Sequence, residues 1–83
     1  MPEIESRLVN CFAAVFPDLS LPEIPSVAAG SLASWDSLAS ITLFSLIEEE
    51  FGLTVLPDDV PELISFELIL DYLRGKLSSE GQA

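Results

Sequence analysis

The side chain best placed for chemistry is the hydroxyl of Ser37, which lies between Asp36 and Leu38 at the predicted start of a helix. Ser and Asp favour helix starts because their oxygens accept hydrogen bonds from the free backbone N–H groups of the first turn. A serine at the first helical position projects its hydroxyl outward, clear of the core. The helix N-terminus also favours a phosphate, so a phosphate ester on Ser37 would lie in a favourable place.

The residue types that most enzymes need are scarce in this chain. It has no histidine and a single cysteine, Cys11, which excludes a histidine-based triad, a zinc site and an intrachain disulfide. Cys11 lies among apolar residues and is predicted to be core rather than a reactive thiol. The acids at 48–50 and 58–59 lack the spaced ligand loop of an EF-hand. We therefore expect no metal site and no enzymatic activity.

The helix that begins at Ser37 is predicted to span residues 37–51 and to have two different faces. At about 100° per residue, one arc of the helix is apolar and predicted to face the core; it contains Leu43, Phe44, Leu46, Ile47 and Phe51. Leu38 and Ile41 fall outside this arc, one turn from Ser37 and beside acids. We predict a partner-docking surface on this second face, formed by Asp36, Leu38, Ile41, Thr42, Ser45, Glu48 and Glu49.

The charge balance restricts the partners. The 83 residues include 14 acids and 3 bases, for a net charge of -11, while 49% are hydrophobic, so the chain should fold with its acids outside. Nucleic acids and anionic membranes are bound by clustered Lys and Arg, which this chain lacks. A basic protein surface is the expected partner. With no signal peptide and no membrane-spanning apolar run, we expect a cytoplasmic monomer.

The remaining elements are predicted to be helical. An apolar stripe predicts a first helix over residues 3–16, and three prolines predict a long loop over 17–34 that packs over the core. A short helix is predicted over 58–63 and a last helix over 66–76, with Ser65 as its N-cap. Strand-like alternation is absent. The predicted fold is all-α, a small four-helix bundle of three long helices and one short, with a long loop between helices 1 and 2.

Three further expectations concern single segments. In the connection 52–57, Val55 and Leu56 are predicted to turn inward. Trp35 closes the long loop and has two interpretations: an anchor of the loop end against the core, or a ring beside a group attached to Ser37. Residues 1–77 are predicted to form one domain, and the polar tail 78–83 is predicted to be disordered.

The order of these features resembles the acyl carrier protein family, including the carrier domains of polyketide and peptide synthetases. The resemblance covers residues 3–76 and depends on Asp36-Ser37-Leu38 at a helix start, Glu-Glu-Glu-Phe at 48–51 and the acidic composition. It implies that a separate phosphopantetheinyl transferase attaches 4′-phosphopantetheine from coenzyme A to Ser37. The terminal thiol of this arm would carry acyl groups as thioesters, and acyl-loading or synthase enzymes with basic docking surfaces would be the partners.

Two departures from the pattern of fatty-acid carriers refine this expectation. Ala33-Ser34-Trp35 replaces the glycine-containing segment that commonly precedes the motif, and Thr42 stands where an acid is common. Both favour a dedicated fatty-acid-like, polyketide or other secondary-metabolite pathway over housekeeping lipid metabolism. Two alternatives remain open: an aminoacyl or peptidyl carrier, and an acidic helical interaction module without a prosthetic group.

Overall fold

The computed structural model describes the backbone of residues 2–81 and the side chains of residues 3–77. Its three α-helices are α1 (Pro2–Val15), α2 (Ser37–Phe51) and α3 (Phe66–Gly81). Three short 3₁₀ helices lie between them, at Leu21–Ser26, Ala29–Ser31 and Val60–Glu62. The described residues form no strand. The prediction of a mainly helical chain with three long helices is confirmed.

The ends of α2 follow from local sequence signals. Asp36 is its N-cap, and its Oδ1 accepts a hydrogen bond from the Ala39 N–H (2.8 Å). Gly52 ends the helix in the left-handed conformation (φ 65°), which glycine adopts without the Cβ strain of other residues. The predicted span 37–51 is therefore confirmed.

The last helix starts where predicted and ends later. Ser65 Oγ accepts a hydrogen bond from the Leu68 N–H (3.1 Å), which confirms Ser65 as the cap. We predicted an end at residue 76, but α3 continues to Gly81, so the backbone of residues 78–81 from the predicted disordered tail is helical. Extending a formed helix adds one hydrogen bond per residue, which favours continuation in the absence of a stop signal. Residues 82–83 of that tail lie outside the described residues.

The connection between α1 and α2 is packed rather than extended into solvent. Ile24, Val27 and Trp35 are buried, which confirms the prediction that this segment covers the core, although Leu21 is exposed. Backbone hydrogen bonds attach it to the start of α3: the Ala29 N–H donates to Ile64 O (2.8 Å), and the Phe66 N–H donates to Val27 O (3.0 Å). The 3₁₀ helices within it were not predicted.

An aromatic cluster lies at the centre of the core. The ring of Phe12 packs edge-on against Trp35 (centroids 5.4 Å apart) and against Phe66 (5.1 Å), and Phe16 lies 5.8 Å from Trp35. The Cα radius of gyration is 12.1 Å, close to the value of about 12 Å expected for a compact chain of this length. Within residues 2–81, no helix combines the length and apolar character needed to cross a membrane.

Cys11 belongs to this core. Its side chain is buried, as predicted. Burial, with a smaller contribution from the charge of Glu50, raises the pKa of the Cys11 thiol to about 11. The group is therefore protonated at neutral pH and a poor nucleophile.

Candidate functional site

Ser37 is the first residue of α2, and its side chain is exposed. The preceding Asp36 has an extended backbone, and its carbonyl oxygen accepts the Ser40 N–H (2.9 Å) while its carboxylate caps Ala39. Both acceptors of Asp36 are therefore used to start the helix. The Ser37 hydroxyl projects from a fixed backbone position at the positive end of the helix dipole.

A groove of about 610 Å³ begins at Ser37 and follows one side of α2. We call it the α2 groove. Its first wall is formed by residues from successive turns of one side of α2: Ser37, Ser40, Ile41, Phe44, Ser45 and Glu48. Its second wall is apolar and comes from the connection before α3: Val55, Pro57, Val60, Pro61, Leu63 and Ile64. Ala29 and Trp35 complete the lining, so the Ser37 side chain borders a largely apolar groove.

Trp35 contributes to both the core and the groove. It is 6% exposed and packs against Phe12 and Phe16, which confirms the anchoring role predicted for it. It also lines the α2 groove, and its Nε1–H donates to Ser40 Oγ (2.9 Å). Trp35 and Ser37 therefore line the same groove, and the second interpretation, a ring beside a group attached to Ser37, stays a prediction.

The two predicted faces of α2 are separated by burial. Phe44, Ile47 and Phe51 are at most 9% exposed, whereas Leu38 is 72% and Ile41 65% exposed. Leu43 is also buried, and Leu46 is partly buried. The core face is confirmed, and the two apolar residues assigned to the docking face do lie outside the core.

The predicted docking residues are the N-cap Asp36 and six residues of α2, and they adjoin three different depressions. Ile41, Ser45 and Glu48 line the α2 groove. Asp36, Leu38 and Thr42 line a shallower depression beside the end of α1. Glu49 lies at a third, next to Cys11 and Glu50. A partner that contacts all of them must cover the outer surface of α2 rather than fill one cavity.

Glu48 has a structural role that the sequence analysis missed. Its Oε2 accepts a hydrogen bond from the Val55 N–H (2.9 Å), and its side chain is half-buried. Val55 is buried, so its N–H needs an acceptor within the protein. Glu48 therefore connects α2 to the second wall of the groove in addition to carrying a negative charge.

The second wall was only partly predicted. Val55 is buried as expected, but the prediction for Leu56 was wrong, because its side chain is 50% exposed. Two contacts from α3 hold this segment: Tyr72 Oη donates to Asp59 Oδ2 (2.9 Å), and Lys76 Nζ donates to Thr54 O (3.3 Å). The apolar composition of residues 53–64 is the one sequence signal that could have indicated a wall here.

Two basic side chains of the described residues make their contacts with residues outside the lining of the α2 groove. Arg7 Nε pairs with Glu50 Oε2 (2.7 Å), and its guanidinium lies over the Phe51 ring, 4.7 Å from the centroid. Lys76 lies 5.4 Å from the centroid of the Tyr72 ring. Within the described residues, no base lines the α2 groove, and Glu48 is its one charged lining residue.

The Ser37 hydroxyl is exposed, and the one titratable group that lines the groove is distant from it along α2. Glu48 is the one titratable side chain among the described residues that line the groove, and it lies eleven residues further along α2, about 16 Å away at 1.5 Å per residue. Direct proton transfer requires hydrogen-bond distance, about 3 Å.

Comparison of the chain with protein-family models, with curated proteins and with solved structures finds no match.

Proposed function

We propose that this chain is a carrier protein in which a 4′-phosphopantetheine arm is attached to Ser37. The observation that carries the proposal is an exposed hydroxyl at the start of α2 that lines a largely apolar groove. The Ser37 oxygen would form a phosphodiester with the phosphopantetheine part of coenzyme A, and the adenosine bisphosphate part would leave. A separate phosphopantetheinyl transferase would take up the serine proton. The arm's thiol would then hold acyl groups as thioesters.

The electrostatics of α2 support a phosphate at this position. The first turn of a helix presents free backbone N–H groups and a partial positive charge, both of which favour an anion. Asp36 caps the Ala39 N–H, which fixes the first turn and leaves the Ser37 side chain outside it. The attached phosphodiester would therefore lie at the favourable end of α2.

The groove supports an apolar cargo. Its second wall is built from valine, leucine, isoleucine and proline side chains, and it runs beside α2 from Ser37 to Glu48. Each methylene group removed from water contributes about 0.8 kcal/mol. An acyl chain of a few carbons would therefore prefer the groove to solvent and would be sheltered from hydrolysis.

The wider expectations follow from this proposal. The helices would correspond to the four-helix bundle of carrier proteins, with the segment at Val60–Glu62 as the short helix. The net charge of -11 would steer transferases and synthases with basic surfaces toward α2, where Leu38 and Ile41 are exposed for contact. We expect the carrier to act as a cytoplasmic monomer in a dedicated pathway. It would supply no catalytic group of its own.

An aminoacyl or peptidyl carrier is the nearest alternative and would use the same serine and arm. The hydroxyls of Ser40 and Ser45 on the α2 wall favour it, because they offer hydrogen bonds to polar groups of the cargo. Loading of the arm by amino-acid-activating or by acyl-activating enzymes would distinguish these two carriers.

The test is the intact mass of the protein after incubation with coenzyme A and a broad-specificity phosphopantetheinyl transferase. We expect the mass to rise by one phosphopantetheine group in the wild type and in Ser34→Ala, and to stay unchanged in Ser37→Ala. Ser34 is the matched control, because it is exposed and close in sequence but does not line the groove. Modification of Ser37→Ala would remove the assignment, and no modification of the wild type would favour an acidic interaction module.

A further inference from the structure

Trp35 and Ser40 form a polar pair inside the otherwise apolar end of the α2 groove. The Trp35 Nε1–H donates to Ser40 Oγ at 2.9 Å, and both residues line the groove. Trp35 is buried and Ser40 is half-buried, so this bond is partly shielded from water. The geometry of the pair fixes the position of the Ser40 oxygen, because the indole is held by Phe12 and Phe16.

The proton of the Ser40 hydroxyl is available to a ligand. A hydroxyl has one donor in addition to its acceptor lone pairs, and Trp35 uses an acceptor. Thr42 shows the usual arrangement within this helix, where its Oγ1 donates back to Leu38 O (3.2 Å). Among the described residues, Ser40 makes no such back-donation, and its proton is free to point into the groove.

The other polar groups of the groove are less suited to bind a ligand atom. Ser45 is exposed, so water competes for its hydroxyl. Glu48 already accepts the Val55 N–H, so one of its carboxylate oxygens is engaged within the protein. Ser40 is therefore the one half-buried hydroxyl donor among the described lining residues.

We propose that Ser40, aligned by Trp35, is a specificity-determining residue that donates a hydrogen bond to a carbonyl or hydroxyl oxygen of the arm or to a hydroxyl oxygen of the acyl chain. This inference rests on the proposed function, because the chain enters from Ser37. The oxygen could belong to the arm or to the acyl group, and in both cases the groove recognises an oxygenated chain in addition to an apolar one. A neutral hydrogen bond of this kind changes occupancy by about three- to tenfold.

Trp35 also supplies the measurement, because it is the only tryptophan of the chain. A ¹H–¹⁵N spectrum therefore contains one indole resonance, and it comes from the group bonded to Ser40. Four forms should be compared after their masses have been checked: the unmodified protein, the protein with the arm alone, and the protein with a hexanoyl or a 3-hydroxyhexanoyl group on the arm. The hydrolysis rate of each thioester gives a second readout.

An oxygen from the arm should shift the indole resonance as soon as the arm is attached. A hydroxyl oxygen of the acyl group should shift the indole resonance in the 3-hydroxyhexanoyl form alone. The 3-hydroxyhexanoyl thioester should then hydrolyse about three- to tenfold more slowly than the hexanoyl thioester, once each rate is divided by that of the same thioester on Ser40→Ala. Either result supports the proposal. Equal shifts with hexanoyl and 3-hydroxyhexanoyl, and none with the arm alone, would overturn it, because the indole would then respond to what the two acyl groups share and neither to the arm nor to the hydroxyl.

Three variants make the test specific, each compared with its own unmodified form. Ser40→Ala should remove the ligand-dependent shift, Ser40→Thr should restore it, and Ser45→Ala, which removes a hydroxyl of the same wall, should retain it. A shift that survives in Ser40→Ala would overturn the role of Ser40. Failure to attach the arm would instead overturn the proposed function and this inference together, whereas successful attachment with an unresponsive indole would overturn this inference alone.

Discussion

The separation of α2 into a core face and an exposed face predicts opposite consequences for two residues one turn apart. Phe44 is 7% exposed and Ile41 is 65% exposed, although both line the α2 groove. Truncation of a buried Phe to Ala costs about 3–5 kcal/mol, because apolar burial is lost and a cavity remains. A domain of this size has about 5–15 kcal/mol of stability in total. Phe44→Ala should therefore be close to unfolding.

The corresponding loss for Ile41 is small. Full burial of an Ile side chain is worth about 1.5–3 kcal/mol, and about a third of the Ile41 side chain is buried, so its truncation removes about 0.5–1 kcal/mol. Alanine is the better helix former by about half a kcal/mol, which offsets most of this loss. Ile41→Ala should therefore keep nearly the wild-type stability.

The assay is thermal unfolding followed by circular dichroism, combined with the rate of phosphopantetheine loading on the same samples. At about 4–8 °C per kcal/mol, Phe44→Ala should lower Tm by about 12–40 °C and Ile41→Ala by no more than a few degrees. Ile41→Ala should nevertheless slow loading if this residue contacts the transferase. Ile47→Ala, fully buried, and Leu38→Ala, exposed, are the matched controls. If Ile41→Ala melts as early as Phe44→Ala, this face belongs to the core and the docking interpretation fails.

Three other predictions follow from the charges and the buried thiol. Added salt should raise Tm, because screening reduces the repulsion among the 14 acids, and divalent cations should do so at lower concentration than sodium. A Tm that responds to neither would contradict crowding of the acids. Glu48→Gln retains an oxygen for the Val55 N–H and should slow loading at low salt with little change in Tm. Glu48→Ala should also reduce the free energy of unfolding by about 1 kcal/mol and so lower Tm. Equal loading rates for Glu48→Gln and wild type would exclude a steering role. For Cys11, burial raises the pKa of the thiol from its ordinary value of 9.0 to about 11, so its contribution to stability is complete below pH 9 and is lost as pH rises toward 11; fast labelling of the native thiol at pH 8 would contradict its burial.

The sequence was most informative where a local signal determines the structure. The limits of α2 are set by Asp36, whose carboxylate caps the first turn, and by Gly52, whose positive φ ends the last. The prolines of the first connection were less informative. Pro22 and Pro25 were interpreted as loop residues, yet the fixed φ of proline also suits short 3₁₀ helices, and both lie in Leu21–Ser26.

The groove was not predictable in this way, because its second wall is positioned by contacts between distant residues. The Ala29 N–H donates to Ile64 O, and Tyr72 binds Asp59, so the placement of residues 57–64 depends on the first connection and on α3. No periodicity within 53–64 encodes these partners. Glu48 illustrates the same limit, since an acid on a helix surface is normally assigned to solvent and its bond to Val55 appears only in the folded chain.

The exposed apolar residues of α2 and the large negative charge are best understood together. Exposed Leu38 and Ile41 on a helix could associate with the same surface of a second copy. With a net charge of -11, two copies repel each other at neutral pH, while a basic partner is attracted over the same distance. The acids thus discriminate between a second copy and a partner of opposite charge, and they allow α2 to keep an apolar contact surface exposed. A chain with these two properties is suited to brief, repeated encounters with basic proteins, as the proposed carrier with an arm on Ser37 would require.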